Sequence, residues 1–441
     1  MSHLKGISVP HRKNTAESVP VQMGAPTVAY YPTVQHIGAP AVPVVKAGDE
    51  VFVGTLIAEA GGFVSSPIYS GVSGKVKSVD GTLQPSGAFV PTVTVECDGM
   101  QTVDSSITPP DVHDTESFIE ALRRSGVVGL GGAGFPTAVK LGVKDLSKIE
   151  HIVINGAECE PYLTGDTRTM LDRAEEIGEG IELCRKYLGV SSFIIGIEKN
   201  KPRCIREMRS LASRHEGMRV IVLPSVYPQG AEKVLVYNTT KRMIKEGQLP
   251  IDQGVIVINV TTLASVARYI KTGMPLTEKC ITVAGGAVAK PQNVIAPIGT
   301  PVGEVFDFCG GFKSEPYKLL YGGPMMGIAI ADRSAPVLKQ TNGLIALTKD
   351  EAAVRPTTPC IRCGRCTNVC PLGLAPVAIA AANDASDMET LEKLKVNLCM
   401  ECGCCSYVCP AKRPLVQQNK LAKASLRDWQ NKKKEKETDK K

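Results

Sequence analysis

The spacing of apolar and polar positions changes character along the chain. Up to about residue 110, short apolar runs such as Val51–Ala58 and Gly74–Val79 are broken by Gly, Pro and Ser, the pattern of an all-β segment. From Thr115 the period shifts: Phe118, Ile119 and Leu122 mark one helical face. Strand patterns follow at His151–Asn155, Phe193–Glu198, Arg219–Leu223 and Gly254–Asn259. Helical stretches separate them at Arg168–Tyr187, Pro202–His215, Gly230–Ile244 and Thr261–Lys271. Such alternation predicts a mainly parallel sheet covered on both faces. Strand patterns return at Ile281–Val288 and Tyr317–Pro324, predicting a small β-rich module. Lys339–Pro359 then reads as a connector, and Ala375–Asn383 as an Ala-rich helix.

The densest chemistry lies in the last quarter. Cys360–Pro371 reads C-I-R-C-G-R-C-T-N-V-C-P, and Cys399–Pro410 reads C-M-E-C-G-C-C-S-Y-V-C-P. Both have the spacing C-x2-C-x2-C-x3-C-P, in which three cysteines wrap one [4Fe–4S] cluster and the fourth ligates the other. One cluster is therefore assigned to Cys360, Cys363, Cys366 and Cys409, the other to Cys399, Cys402, Cys405 and Cys370. Structural zinc needs no third cysteine at the next two-residue step and no proline after the last. A disulfide framework fits poorly with a long chain whose opening, Met1–Asn14, lacks the apolar core of a secretory signal. A reducing compartment is expected. Cys404 reads as a bystander, and Cys97, Cys184, Cys204, Cys280 and Cys309 as free thiols.

Composition narrows the class. At 441 residues and 43% hydrophobic, the chain can build several cores. No apolar run approaches the ~20 residues that cross a bilayer. The net charge of +7 is local: from Ala411 onward eleven Lys/Arg face four Asp/Glu, and the remaining residues balance at forty against forty. A nucleic-acid binder carries its basic residues on a folded face, so none is expected here. The tail reads either as a solvated helix or as an anchor for an anionic surface.

Gly129–Lys140 reads G-L-G-G-A-G-F-P-T-A-V-K. Glycines at this density let a backbone approach a phosphate and aim N–H groups at it. The run contains G-x-G-x-x-G but follows a helix rather than a strand, unlike an ordinary dinucleotide fingerprint. A glycine-rich turn without a ligand is the competing reading.

Several stretches resemble known families. Val45–Glu59 and Ser65–Val76 are similar to the hairpins of a biotinyl/lipoyl-type barrel, without a lysine at the tip, Phe63–Pro67. A docking or structural barrel is implied, not a swinging arm. Together with N-G-A-E-C-E-P (Asn155–Pro161), Y-P-Q-G-A-E (Tyr227–Glu232) and N-V-T-T-L (Asn259–Leu263), the glycine loop resembles the flavoprotein subunit of respiratory complex I. That resemblance implies FMN contacts for Gly129, Gly131, Gly132, Gly134, Lys140, Asn155, Tyr227, Gly230 and Asn259. Phe135, Glu158, Glu160 and Glu232 complete the implied cofactor-binding set, Phe135, Glu160 and Glu232 facing NAD(H). Leu130, Ala231 and Tyr162 depart from that family, which has Arg, Glu and Gly there.

Over about residues 30 to 415 the chain is similar to the C subunits of Rnf complexes, which share H-I-G-A-P-A (His36–Ala41), G-G-P-M-M-G (Gly322–Gly327) and the double cysteine run. Its start, Gly6–His11, departs from the family's His-Pro-Pro opening, so His3 and His11 are assigned no role. The resemblance implies a multidomain α/β chain. Its parts are a barrel-sandwich β domain (1–112), a Rossmann-like FMN/NAD domain (113–275), a β-grasp SLBB module (276–338), a double [4Fe–4S] domain (350–415) and a basic tail (416–441). It implies electron transfer between two clusters, FMN and NAD(H), with flavin-mediated hydride transfer and no catalytic side chain. Other Rnf subunits would be direct partners and ferredoxin an indirect one, at the cytoplasmic face of the membrane. A reductase for another acceptor such as a corrinoid, and a non-catalytic ferredoxin-like relay, are the alternatives.

Overall fold

The structure, a computed structural model, describes residues 4–83 and 87–438. His3 and the last three residues of the basic tail lie outside them. The chain divides into two compact units, one of His11–Val222 with Gly254–Ala353, the other of Met1–Pro10, Leu223–Gln253 and Val354–Lys441.

The first unit begins with a barrel of two small sheets. Val28–Pro32, Phe89–Cys97, Gly74–Leu83 and Glu50–Val51 form one; Val42–Pro43, Leu56–Glu59 and Ile68–Tyr69 form the other. Along Phe89–Cys97 the buried Val93 and Val95 alternate with the more exposed Thr94 and Glu96, the period of a strand with one face in a core. Tyr31 is fully buried because its hydroxyl accepts the Gly71 N–H at 2.8 Å.

Next comes a four-stranded sheet in the order Met218–Leu223, Phe193–Glu198, His151–Asn155, Val255–Asn259. His151–Asn155 pairs parallel with both neighbours, and all six residues of Phe193–Glu198 are buried, as covered parallel strands require. Helices Ala174–Leu188 and Val260–Thr272 pack closely; a Cβ on Gly180 would lie 2.7 Å from Leu263. The expected helix Arg168–Tyr187 is two helices, Gly165–Asp172 and Ala174–Leu188, broken where Arg173 adopts φ −129°, ψ 31°.

A six-stranded mixed sheet completes the unit, in the order Val21–Gln22, Gln292–Pro297, Glu278–Ala284, Gly343–Leu347, Lys318–Tyr321, Ile328–Ile330. Its core, around Ile281, Val283, Val294, Phe306 and Leu344, lies under helix Val302–Phe308. Two expectations shift here. Gly343–Leu347, read as connector, is a wholly buried strand inside the sheet, its five residues apolar or glycine. Val21–Gln22, read as barrel, pairs instead with Val294 and Ile295.

The second unit is helical. Pro376–Asp384, Met388–Lys393 and Leu415–Thr438 enclose a core of Leu374, Ile379, Leu391, Val396, Ala422 and Leu426. The helix Leu415–Thr438 is thus not solely a solvated tail: its first turns close the core, while Lys432, Lys433 and Lys434 are exposed. Residues 223–253, whose periodicity suggested the α/β domain, group with this unit. Ile7 and Tyr227 exchange backbone hydrogen bonds at 2.9 Å within it. Among the described residues no helix is long and apolar enough to cross a membrane.

Candidate functional site

From His151–Asn155 the chain moves outward to Phe193–Glu198 and Met218–Leu223, then lays Val255–Asn259 on the other side of His151–Asn155. The order reverses between those two strands, and at such a switch point open α/β sheets bind ligands, beyond the strands' carboxyl ends. Asn155 and Asn259 are register partners there. The Asn259 Oδ1 caps helix Val260–Thr272, accepting the N–H groups of Thr261 (2.9 Å) and Thr262 (3.2 Å), while Nδ2 donates to Asp166 at 2.7 Å. Asn155 Oδ1 accepts the Ala157 N–H at 3.1 Å.

The glycine loop abuts this edge. Leu130 N–H donates to Thr262 Oγ1 at 2.9 Å, and a Cβ on Gly131 would stand 3.2 Å from Asn259 Nδ2. The Gly129 N–H to Phe135 O (2.8 Å) and Gly134 N–H to Gly129 O (3.0 Å) bonds close the loop, with φ of +117° at Gly132 and +67° at Gly134. The N–H groups of Gly131, Gly132 and Ala133 take no partner among the described residues, and the three residues are exposed. Thr137 begins the short helix Thr137–Leu141 with a buried hydroxyl that has none either, and Lys140 lies half-buried in its last turn. Free backbone donors, a cradle that a Cβ would narrow and an orphaned buried hydroxyl fit a phosphate-bearing cofactor such as FMN.

Two carboxylates expected at this site are turned onto the protein's own backbone. Glu158 accepts from the N–H groups of Asp166 (2.7 Å) and Thr167 (3.3 Å) and from the Thr167 hydroxyl, capping helix Gly165–Asp172. Burial pushes its carboxyl above the usual range. Glu160 accepts the N–H groups of Met325 at 3.1 Å and Met326 at 2.8 Å. The loop bearing both acids is gathered by two lysines that sequence reasoning missed. Lys13 Nζ donates to the carbonyls of Glu158 (2.8 Å), Glu160 (2.7 Å) and Leu163; Lys201 Nζ donates to Ala157 O (2.6 Å) and to Glu198 (3.1 Å). Burial lowers the Lys13 ammonium to about 8, opposed by the charge of Glu158.

The barrel buttresses the glycine loop. Ile37 N–H donates to Gly134 O at 3.0 Å, and His36 Nε2 receives the Ser66 N–H at 3.1 Å. The hairpin tip that lacks a lysine meets one from elsewhere: fully buried Lys339 reaches Ser66 Oγ (3.1 Å), Pro67 O and Gly126 O (2.8 Å). Burial lowers Lys339 from 10.5 to about 7. The unfolded chain would keep that proton to higher pH, so this group adds stability as pH rises from about 7 to about 10.5. Between those limits the wild type is expected to gain on Lys339→Met by at most about 1.4 kcal/mol per pH unit. Anaerobic denaturation of both proteins from pH 7 upward checks this; parallel curves would mean that the three acceptors keep the ammonium charged.

The cysteine runs lie in the second unit. A pocket of about 370 Å³, part of it open to solvent, is lined by Cys370, Cys399, Cys402 and Cys405 with Leu372 and Leu374. The Leu374 N–H donates to Cys370 Sγ at 3.3 Å and Asn419 Nδ2 to Cys399 Sγ at 3.6 Å. Cys366 and Cys409, one from each run, share an apolar cluster with Leu415 and Val416, and Cys360 Sγ accepts the Arg362 N–H at 3.4 Å. Four sulfurs in an apolar pocket, with N–H donors to spread thiolate charge, fit an iron–sulfur cluster. Cys404 borders the pocket, but its thiol donates to Tyr227 O at 3.9 Å. Tyr227, expected at the flavin, is buried in this unit, and its hydroxyl donates to Cys402 O at 2.8 Å. Gly230 and Glu232, the latter opening helix Glu232–Thr240, belong to the same unit.

Four domain families match the chain. They are an RnfC barrel sandwich hybrid domain (1–100), a Nuo51 FMN-binding domain (122–268), an SLBB domain (280–329) and a 4Fe-4S dicluster domain (352–410). Among curated proteins the chain is similar to the C subunit of the Na(+)-translocating ferredoxin:NAD(+) oxidoreductase complex of Acetobacterium woodii. The two are 42% identical across 96% of each chain. It is similar to the C subunit of the ion-translocating oxidoreductase complex of Rhodobacter capsulatus, 42% identical over 96% of this chain and 82% of the relative. For the C subunit of the proton-translocating ferredoxin:NAD(+) oxidoreductase complex of Clostridium ljungdahlii the identity is 39%, over 84% of this chain and 82% of the relative.

Proposed function

Because this chain belongs to the C-subunit family of Rnf-type ion-translocating ferredoxin:NAD+ oxidoreductase complexes, we propose that it forms the complex's nucleotide end. It is an electron-transfer subunit with an FMN-binding domain and a dicluster domain. FMN, when bound, takes two electrons as hydride from a nicotinamide and releases them singly, as [4Fe–4S] clusters require. The chain's own residues do the positioning. The N–H groups of Gly131, Gly132 and Ala133 receive the cofactor's phosphate, and Thr137 supplies a buried hydroxyl. The Asn259 cap fixes the cradle's floor. Cys360, Cys363, Cys366 and Cys409 hold one cluster, and Cys370, Cys399, Cys402 and Cys405 the other. Lys140, Asn155 and Phe135 belong to the same reading as flavin or nucleotide contacts.

The observation that carries this reading is the free-donor glycine cradle at the sheet's switch point. After anaerobic purification the protein is expected to carry FMN and to reduce ferricyanide with NADH. Lys140→Ala is expected to release flavin. Glu232→Gln should keep flavin but slow NADH oxidation about tenfold, the size of one charge-assisted hydrogen bond. Flavin fluorescence after acid release and ferricyanide turnover measure the two effects. A flavin-free, NADH-inert protein with intact clusters would return the chain to a ferredoxin-like relay.

The protein is part of a membrane-associated complex. We place it peripherally on the cytoplasmic face, with Lys432–Lys434 as one basic contact. Such contacts weaken with salt.

A further inference from the structure

The G-G-P-M-M-G stretch, Gly322–Gly327, is a tight loop of the β-grasp module between strands Lys318–Tyr321 and Ile328–Ile330. Gly327 N–H donates to Gly323 O at 2.8 Å, and a Cβ on Gly327 would stand 2.3 Å from that same oxygen. The loop lies beside the glycine cradle, with Asn342 between them. Asn342 Nδ2 is 3.4 Å from Gly131 O, and its Oδ1 would be 3.6 Å from a Cβ on Gly322. Glu160 holds the loop from the α/β side: each carboxylate oxygen takes one methionine N–H, and Gly323 packs flat on the carboxylate. A Cβ on Gly323 would stand 2.2 Å from Glu160 Oε2. Glu160 is itself anchored, its carbonyl taken by Lys13 Nζ at 2.7 Å.

What the latch presents is apolar. Met326 and Ile328 are 50% and 55% exposed. The exposed Met326 thioether, with Met325 half-buried beside it next to a cradle of free backbone donors, suits contact with a flat ring, since sulfur–aromatic contacts are favourable and adaptable.

We propose that Glu160 is a positioning residue rather than a nucleotide ligand. It latches the Gly322–Gly327 loop so that Met325 and Met326 form an apolar wall against the nicotinamide ring of the dinucleotide. This rests on the flavin–NAD reading of the cradle. It differs from direct contact because it makes Gly323, which carries no chemistry, as important as the carboxylate.

The test compares Glu160→Gln, Glu160→Ala, Gly323→Ala and the double variant Glu160→Ala/Gly323→Ala by NADH–ferricyanide kinetics on flavin-replete protein. Glu160→Ala and Gly323→Ala are each expected to raise KM for NADH about tenfold with flavin content unchanged. The double variant should be no worse than either, because the added methyl then has no carboxylate to displace. Glu160→Gln, which keeps one acceptor, should fall between them and the wild type. Met326→Ser, at a half-exposed position, gives a folded control on the wall and should raise KM about threefold with kcat little changed. Wild-type KM in Gly323→Ala and Met326→Ser beside impaired Glu160 variants would overturn the latch and make Glu160 a direct ligand. Wild-type KM in every variant would remove the loop from the site. Absence of flavin and NADH oxidation in the wild type would instead strike the underlying reading, so the two failures are distinct.

Discussion

Cys370→Ser is expected to remove one cluster and leave its neighbour. Serine keeps the size of the side chain but offers a poor ligand to iron, and Cys370 lines one pocket with three cysteines of the other run, Cys399, Cys402 and Cys405. That pocket is walled by Leu372 and Leu374. Cys404 lines the same pocket, with its thiol on the Tyr227 carbonyl at 3.9 Å. Losing a direct ligand should exceed the 10–100-fold that outer partners cost, so electron transfer through this cluster should fall by more than about 100-fold. Iron should drop from about eight to about four per chain, one cluster's worth. Iron analysis and low-temperature EPR separate the two centres. Survival of the Cys399 cluster with loss of the Cys360 cluster would show that each run serves its own.

The second large effect belongs to the cradle. Gly132 has φ +117°, a conformation that side chains rarely adopt, and it faces solvent in the middle of the free N–H groups. Gly132→Val adds about 1–3 kcal/mol of backbone strain. It also puts methyl groups where a phosphate would approach. FMN affinity is expected to weaken by about 100-fold or more, the sum of strain and lost donors. The cysteine pocket belongs to the other compact unit, so iron content should not change. Acid-released flavin and iron, measured on the same preparation, check both halves. Full flavin in Gly132→Val would mean that the loop binds nothing through its backbone.

What could be read from the chain alone follows the range of the interaction. Cysteine spacing is legible because a cluster takes three ligands from one short turn, and the expected crossing of Cys370 rests on the same spacing. The glycine loop is legible because glycine density has few other uses. Lys13 and Lys339 are not legible: a lysine defaults to the surface, and nothing near it in sequence says that carbonyls more than 100 residues away will enclose it. Lys201 is nearer in range, since Glu198 is three residues off, but the Ala157 carbonyl is 44 away. Gly343–Leu347 was missed because five residues without flanking alternation read as connector until neighbouring strands bury both faces. Glu158 and Glu160 were placed by resemblance. Which way a carboxylate turns depends on N–H groups of Asp166 and Met326, and no local pattern encodes those.

The pairing of Ile7 with Tyr227, and of Val21–Gln22 with Val294 and Ile295, bears on how the protein is made. The barrel between Val28 and Cys97 can close as soon as it leaves the ribosome, since its two sheets draw their strands from that stretch, and the Tyr30 N–H bond to Gly299 O is added later. The segment before it cannot. At synthesis rates of about 5–20 residues per second, Ile7 waits on the order of 10–40 s for Tyr227 to emerge, and Val21 longer for Val294. The two cysteine runs come later still, followed by helix Leu415–Thr438, which closes the core beside them. A nascent chain that stopped before Val294 would therefore expose an unpaired strand at Val21–Gln22 to aggregation.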